Sequence, residues 1–257
     1  MCKNMSAIRR YLKSCIVLAL GTSTRPRVII RGPASGYRIC VSPAENLSYL
    51  LGTAEPHLQN AIRRYVREGD TVYDIGANIG YVSLSLSKKV GPTGSVIAFE
   101  PLPANIQILR RNIDINDIDN IRLLDYAASD RFGEAVIRTA ENPATASLVW
   151  HRGDTSASEI SIKTVTVDGL VESGELRHPT FVKIDVEGAE GMVLQGMHRT
   201  IASAQPVLFV ECSELGRETV WRMLQGFDYK CQSAVTERWI TAYEEYRHSD
   251  FLWHPPR

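Results

Sequence analysis

The chain has no surplus of either charge: 29 lysines and arginines stand against 29 aspartates and glutamates. Without a basic excess, no global field steers it to nucleic acid. Cysteine is scarce. Cys2, Cys15, Cys40, Cys212 and Cys231 are odd in number and never spaced C-x-x-C. That scatter argues against a zinc site and a disulfide framework, and reduced thiols in a cytoplasmic protein are the plain reading. Long apolar runs are missing too. Cys15–Leu20 falls far short of the roughly 18 residues that span a bilayer. Arg9, Arg10 and Lys13 ahead of it imitate a signal peptide, but Thr22–Pro26 offers no convincing small-residue cleavage site. An amphipathic N-terminal helix is therefore expected rather than secretion. No low-complexity tract and no repeat of 20–50 residues is found.

What remains is ordinary and informative. Of 257 residues, 44% are hydrophobic and 23% charged, enough to bury a real core in one α/β domain with additions. Residues 1–36 read as an N-terminal extension ending near the turn signal Arg31-Gly32-Pro33, and 37–257 as the domain. From Thr71 onward short apolar strands alternate with helices. Strands are expected at Thr71–Ile75, Ser95–Phe99, Ile121–Leu124, Phe181–Asp185 and Pro206–Val210, with late ones near Asp228–Cys231 and Asp250–Trp253. Helices are expected over Gly80–Lys89, Pro103–Ile115, Ala189–Ile201 and Glu218–Leu224, and one runs from Glu55-Pro56 to about Glu68. Between about 132 and 167 the alternation breaks. Two β-rich pieces there flank a polar loop, which suggests an inserted hairpin. This rhythm specifies a doubly wound, mostly parallel sheet with helices on both faces.

In such sheets ligands sit at the carboxyl ends of the strands, where strand order reverses. The first strand of the alternation runs out into Asp74-Ile75-Gly76-Ala77-Asn78-Ile79-Gly80. Its glycines permit a sharp turn and close backbone approach to a ligand. Asp74 would repel a pyrophosphate and attract an ammonium group, and Asn78 breaks the G-x-G-x-x-G spacing, so a dinucleotide is disfavoured. Glu100 ends the second strand twenty residues past Gly80, well placed to accept both ribose hydroxyls of an adenosine. An acid for an amine, an acid for a ribose and no phosphate cradle together describe S-adenosylmethionine.

Three segments, Val72–Tyr81, Phe99–Asn105 and Lys183–Glu190, resemble the FkbM-type methyltransferases, with a likeness running in order over roughly 37–253. The resemblance implies a Rossmann-like seven-stranded methyltransferase fold with a reversed last strand. It also implies S-adenosylmethionine as cofactor and O-methylation of a sugar, polyketide or other small hydroxylated metabolite. By it Asp74, Gly76, Ala77, Asn78 and Gly80 surround the methionine part, Glu100 takes the ribose, and Pro101 with Tyr126-Ala127-Ala128 borders the adenine. Asp185 and Glu187, leaving the strand expected beside the first, would face the transferable methyl. A hydroxyl nucleophile must lose its proton, and a positioned carboxylate accepts it. Asp185 would alternatively contact the cofactor, and Glu187-Gly188 would alternatively be only a turn before a helix. Glu211 is a third acid on the same rim; no spacing demands a metal there. His151 and His178 lie in or beside the insertion, while core packing is the default for Trp150, Trp221, Trp239 and Trp253.

Two other functions compete. A non-catalytic interaction protein would have no need of both Asp74 and Glu100, and a nicotinamide oxidoreductase conflicts with Asp74 and Asn78. Nucleic-acid methylation is disfavoured as well: no Asn/Asp-Pro-Pro-Tyr segment follows the Phe181 strand, and net charge is zero.

Overall fold

A computed structural model of the chain describes residues 22–139, 158–212, 214, 216–245 and 248–256. The expected N-terminal helix, the polar loop of the insertion, His151 and Trp150 lie outside the described residues.

The chain enters through β1 (Arg25–Val28), which pairs antiparallel with β2 (Arg38–Val41). Residues 25–36, read from sequence as part of an extension, pack on the body, with Ile29 and Ala34 fully buried. Two asparagines of the later helix α4 (Pro103–Asp114) and the turn after it hold β2 in place: Asn112 accepts from Cys40 N–H at 2.7 Å and Asn116 from Arg38 N–H at 2.6 Å. Helices α1 (Pro43–Leu51) and α2 (Pro56–Tyr65) follow. Like α4, both open on a proline in the first turn, where no intrahelical N–H is needed.

Then come β3 (Thr71–Ile75), α3 (Tyr81–Val90), β4 (Ser95–Phe99), α4 and β5 (Ile121–Leu124). A small sheet interrupts: β6 (Ala127–Ala128), β7 (Gly133–Thr139) and β8 (Ser158–Val165), in the order β6-β8-β7, with β7 and β8 antiparallel as the expected hairpin. Next are α5 (Val167–Glu172), β9 (Phe181–Ile184), α6 (Glu190–Gly196), α7 (His198–Ala204), β10 (Val207–Glu211), α8 (Arg217–Gln225), β11 (Lys230–Ser233), β12 (Trp239–Ile240) and β13 (Asp250–His254). The single helix expected over Ala189–Ile201 is two. The break is at Met197, whose φ of −124 and ψ of 19 lie outside the helical region, just after Gly196, where a side chain would meet Ser129 O at 1.8 Å.

The main sheet is ordered β12-β11-β13-β10-β9-β3-β4-β5. Its seven long strands form the expected methyltransferase sheet, with β12 a two-residue edge addition. β3, β4, β5, β9 and β10 run parallel, and β13 runs antiparallel to both β10 and β11, giving the reversed last strand. Parallel strands covered on both faces read as near-continuous apolar runs, and β9 (FVKI) is buried at every position. Alternate residues feed two cores. Tyr73, Ile75, Val182 and Ile184 pack with α6, α7 and α8 on one face, while Val72, Phe181 and Phe209 pack with α1–α4 on the other. Successive strands step from β3 to β4 and β5 on one side and from β9 to β10 on the other. The switch point therefore opens at the carboxyl ends of β3 and β9. Among the described residues no helix is long and apolar enough to cross a membrane.

Candidate functional site

The turn leaving β3 is fixed by contacts that exclude larger residues. Gly76 has φ +80, and a Cβ there would stand 1.9 Å from Asp185 O; Gly80 has φ +91, and its Cβ would meet Leu109 Cδ1 at 2.1 Å. Asn78 takes the left-handed conformation (φ 51) that its short polar side chain tolerates. The N–H groups of Gly76 and Ala77 both donate to Phe99 O, at 3.0 and 2.9 Å. Asn78 N–H donates to Glu100 Oε2 at 2.8 Å. Glu100 is 4% exposed, and its other oxygen accepts from Leu102 N–H at 3.0 Å and from the Asn105 amide at 3.2 Å. Burial raises the Glu100 pKa against these hydrogen bonds, which lower it.

A cavity of about 100 Å³ lies over this turn. Gly76, Asn78, Glu100, Pro101, Ala127 and Ala128 line it, and so do Asp185 and Glu187. Tyr126 and Ile137 close it from the small sheet, and Asn105 adds a polar group. A second, smaller cavity adjoins it. Gly76, Asn78 and Asp185 belong to both; Ala77, Tyr49, Glu55, Lys183 and Glu211 belong to the second alone. Gly80 borders neither, and its role is to let the turn close on Leu109.

Asp74 lines neither cavity. It is 0% exposed and accepts from Ser83 Oγ at 2.6 Å. Lys183, its cross-strand partner in β9, stands between it and the cavities. The Lys183 ammonium lies 3.3 Å from Asp74 Oδ1 and 3.3 Å from Asp185 Oδ2, and donates to Gly76 O at 2.7 Å. Burial disfavours its charge, but Asp185 and Asp74 outweigh that and hold its pKa above the ordinary lysine value.

A family model described as the methyltransferase FkbM domain matches residues 74–239. The chain belongs to the FkbM methyltransferase family. It is 32% identical over 200 residues to the hexuronic acid methyltransferase AglP of Haloferax volcanii, covering 77% of this chain and 79% of that protein. The methyltransferase sdnD of Sordaria araneosa is 28% identical over 156 residues, with 49% of this chain and 60% of that protein covered. A solved FkbM methyltransferase from Methylobacillus flagellatus superposes with a TM-score of 0.47 at 20% identity, over 82% of this chain and 53% of that one. As an FkbM-family member, the chain is an S-adenosylmethionine-dependent methyltransferase.

The residues present suit that cofactor. The turn at Gly76 is too tight for a Cβ, Glu100 is a buried acceptor at the cavity wall, and the small Ala127 and Ala128 leave room for a flat ring. On the opposite rim, Glu187 (φ 50) occupies the left-handed region. Burial raises its pKa, with Asp185 adding to the rise and Lys183 opposing it. Glu211 is pushed up to about 8 by burial and then by Asp185, Asp250 and Glu55. Among the described residues no group of three or more His, Cys, Asp and Glu is arranged to hold a metal ion. His178 lines neither cavity. His198 packs on Phe227, His254 packs between Tyr65 and Trp239, and Trp221 packs on Trp253.

Sequence reasoning passed over four of these residues. Lys183 carried a signal, since a lysine inside an otherwise apolar buried strand requires a partner. Asn105 sits in the first turn of α4 just past Glu100, a short step for a side chain to turn back. Glu55 and Tyr49 carried none, because they reach the second cavity through the packing of α1 and α2.

Proposed function

We propose that this methyltransferase methylates a hydroxyl of a small metabolite, with sugars and polyketides as the acceptor classes. The observation that carries the reading is the junction of two cavities at Gly76, Asn78 and Asp185. The AglP relative, named for hexuronic acid, supports a sugar. The free cysteines Cys40 and Cys212 support a cytoplasmic setting.

S-adenosylmethionine supplies, when bound, an electrophilic methyl on a sulfonium. The backbone of Gly76, Ala77 and Asn78 borders its methionine part, Glu100 accepts from its ribose, and Pro101, Ala127 and Ala128 border its adenine. Asp185 is the carboxylate within reach of the ammonium group. Asp74 acts at one remove: it keeps Lys183 charged, and Lys183 holds both Asp185 and the Gly76 carbonyl. Glu187 takes the acceptor's proton as it attacks. A raised pKa suits that work, because a base titrating nearer the working pH removes a proton more effectively.

Calorimetry with S-adenosylmethionine and with NAD, followed by transfer of labelled methyl to a panel of hydroxylated metabolites, tests the proposal. Binding of the first cofactor alone, with label on an acceptor oxygen, is expected. Label appearing on nitrogen or carbon would refute O-methylation.

A further inference from the structure

We infer that the outer face of the β1–β2 hairpin, with the adjoining arginines of α4, docks on an anionic membrane surface. The inference is independent of which acceptor is methylated.

Charge is segregated along the chain. Residues 1–44 contain eight lysines and arginines and no aspartate or glutamate, which leaves 21 basic against 29 acidic residues in the remainder. A chain neutral as a whole therefore carries a basic entry segment, and a local excess of that kind attracts anionic lipid headgroups within a Debye length. Arg25, Arg31 and Arg38 of this segment are exposed in the structure.

The register of the hairpin separates two faces. Ile29 and Ile39 are fully buried against the body. Val28 pairs with Arg38, and residues directly opposite in an antiparallel pair share a face. That face is the outer one: Val28 is 55% exposed and Ile30, two residues on, is 65% exposed. Arg25 and Arg31 flank the pair. Single exposed apolar residues are ordinary, whereas two on one face among exposed arginines have the composition of a lipid-facing surface. Cys40, on the outer face two residues past Arg38, lines a wide groove together with Arg110 and Arg111 of α4, both exposed. Asp114 and Asp125 also line that groove, and the two arginines with Lys163 outnumber them.

The aliphatic groups decide between polyanions. Val28 and Ile30 lose contact with water when they enter the boundary between headgroups and acyl chains, while a phosphodiester backbone offers them nothing. Pro101 lines both this groove and the cofactor cavity, so docking here sets the methyl-transfer site beside the lipid interface.

The test is cosedimentation of the full chain with vesicles of phosphatidylcholine alone and with about a quarter phosphatidylglycerol. Binding is expected only to the anionic vesicles, and should be largely lost at about 0.5 M NaCl. Each arginine near the surface is worth roughly fivefold in affinity, so the triple variant Arg25→Gln, Arg31→Gln, Arg38→Gln should bind roughly 100-fold more weakly. Val28→Ser with Ile30→Ser should cost roughly 10-fold. A control triple, Arg177→Gln, Arg222→Gln, Arg238→Gln, removes the same charge from exposed positions outside the hairpin and should stay within about threefold of wild type. S-adenosylhomocysteine affinity should be unchanged in all of them, since none of these residues lines either cavity. The lipid and salt dependence of the unaltered chain needs no variant and tests the inference even if one misfolds. Equal binding to neutral vesicles, a control triple as weak as the hairpin triple, or full binding by the Val28 and Ile30 variant would overturn the inference. Binding to polyuridylate in place of the anionic vesicles would overturn it too and assign the face to nucleic acid.

Discussion

Asp74 and Lys183 stand directly opposite each other across β3 and β9, with their charged atoms 3.3 Å apart and side-chain exposures of 0% and 4%. Neither was placed by local sequence pattern; the parallel register brings them together. Removing one partner of a buried pair leaves an uncompensated charge, which costs about 3–5 kcal/mol. Lys183→Met should therefore destabilise the chain by that order in denaturant unfolding. Asp74→Asn in the same chain should restore much of the loss, since the remaining group is neutral. A double variant no more stable than the single one would show that Lys183 acts mainly through Asp185.

Glu100 accepts three hydrogen bonds from the protein, two of them from backbone N–H groups. Glu100→Gln turns one acceptor oxygen into an NH2 that faces a donor. Two effects are expected: about 1–3 kcal/mol of lost stability from the mispaired donor, and roughly 10-fold weaker cofactor binding. Calorimetry beside thermal melts separates them. Full affinity in a destabilised variant would confine Glu100 to holding the turn.

The sheet was legible because each parallel strand is buried on both faces and so reads as an apolar run bounded by turn residues. β3, β4, β9 and β10 were found for that reason. The acids of the site were legible because strand ends are where such sheets bind ligands. Other features depend on long-range packing. β1 is a polar four-residue edge strand whose partner lies beyond a turn. Helix α1 is kinked at Asn46, where φ is −120 and ψ is 39, and this interrupts the periodicity that would have placed Tyr49. The indirect position of Asp74 also lay outside the sequence, since a carboxylate at a strand end reads the same whether it faces a ligand or a buried lysine.

Glu187→Gln probes the proton transfer. The cofactor cavity keeps its shape, so affinity for S-adenosylmethionine should change little, while transfer should slow by roughly 10²–10⁴. In wild type the rate should rise as pH passes the raised pKa of Glu187, because only the ionised form accepts a proton; in the variant that limb should vanish. If Glu187 served only its left-handed turn, the variant would lose about 0.3–1 kcal/mol of stability and keep its turnover. Single-turnover kinetics across pH decide between the two.

Glu211 sets a pH dependence of stability whose sign follows from its shift. Its folded pKa is pushed up to about 8 from an ordinary 4.5. Between those values the folded chain holds a proton that the unfolded chain has released, so stability falls as pH rises through that window and levels off above about 8. This is opposite to a salt-bridged carboxylate, whose contribution is lost on acidification. Glu211→Gln removes the penalty. Because the group is partly solvated, screening reduces the effect to about 1–2 kcal/mol. The variant should therefore match wild type near pH 4.5 and exceed it by that amount at pH 9, measured by denaturant unfolding at both. Parallel pH profiles for the two proteins would show that Asp185, Asp250 and Glu55 do not crowd Glu211 as the geometry indicates.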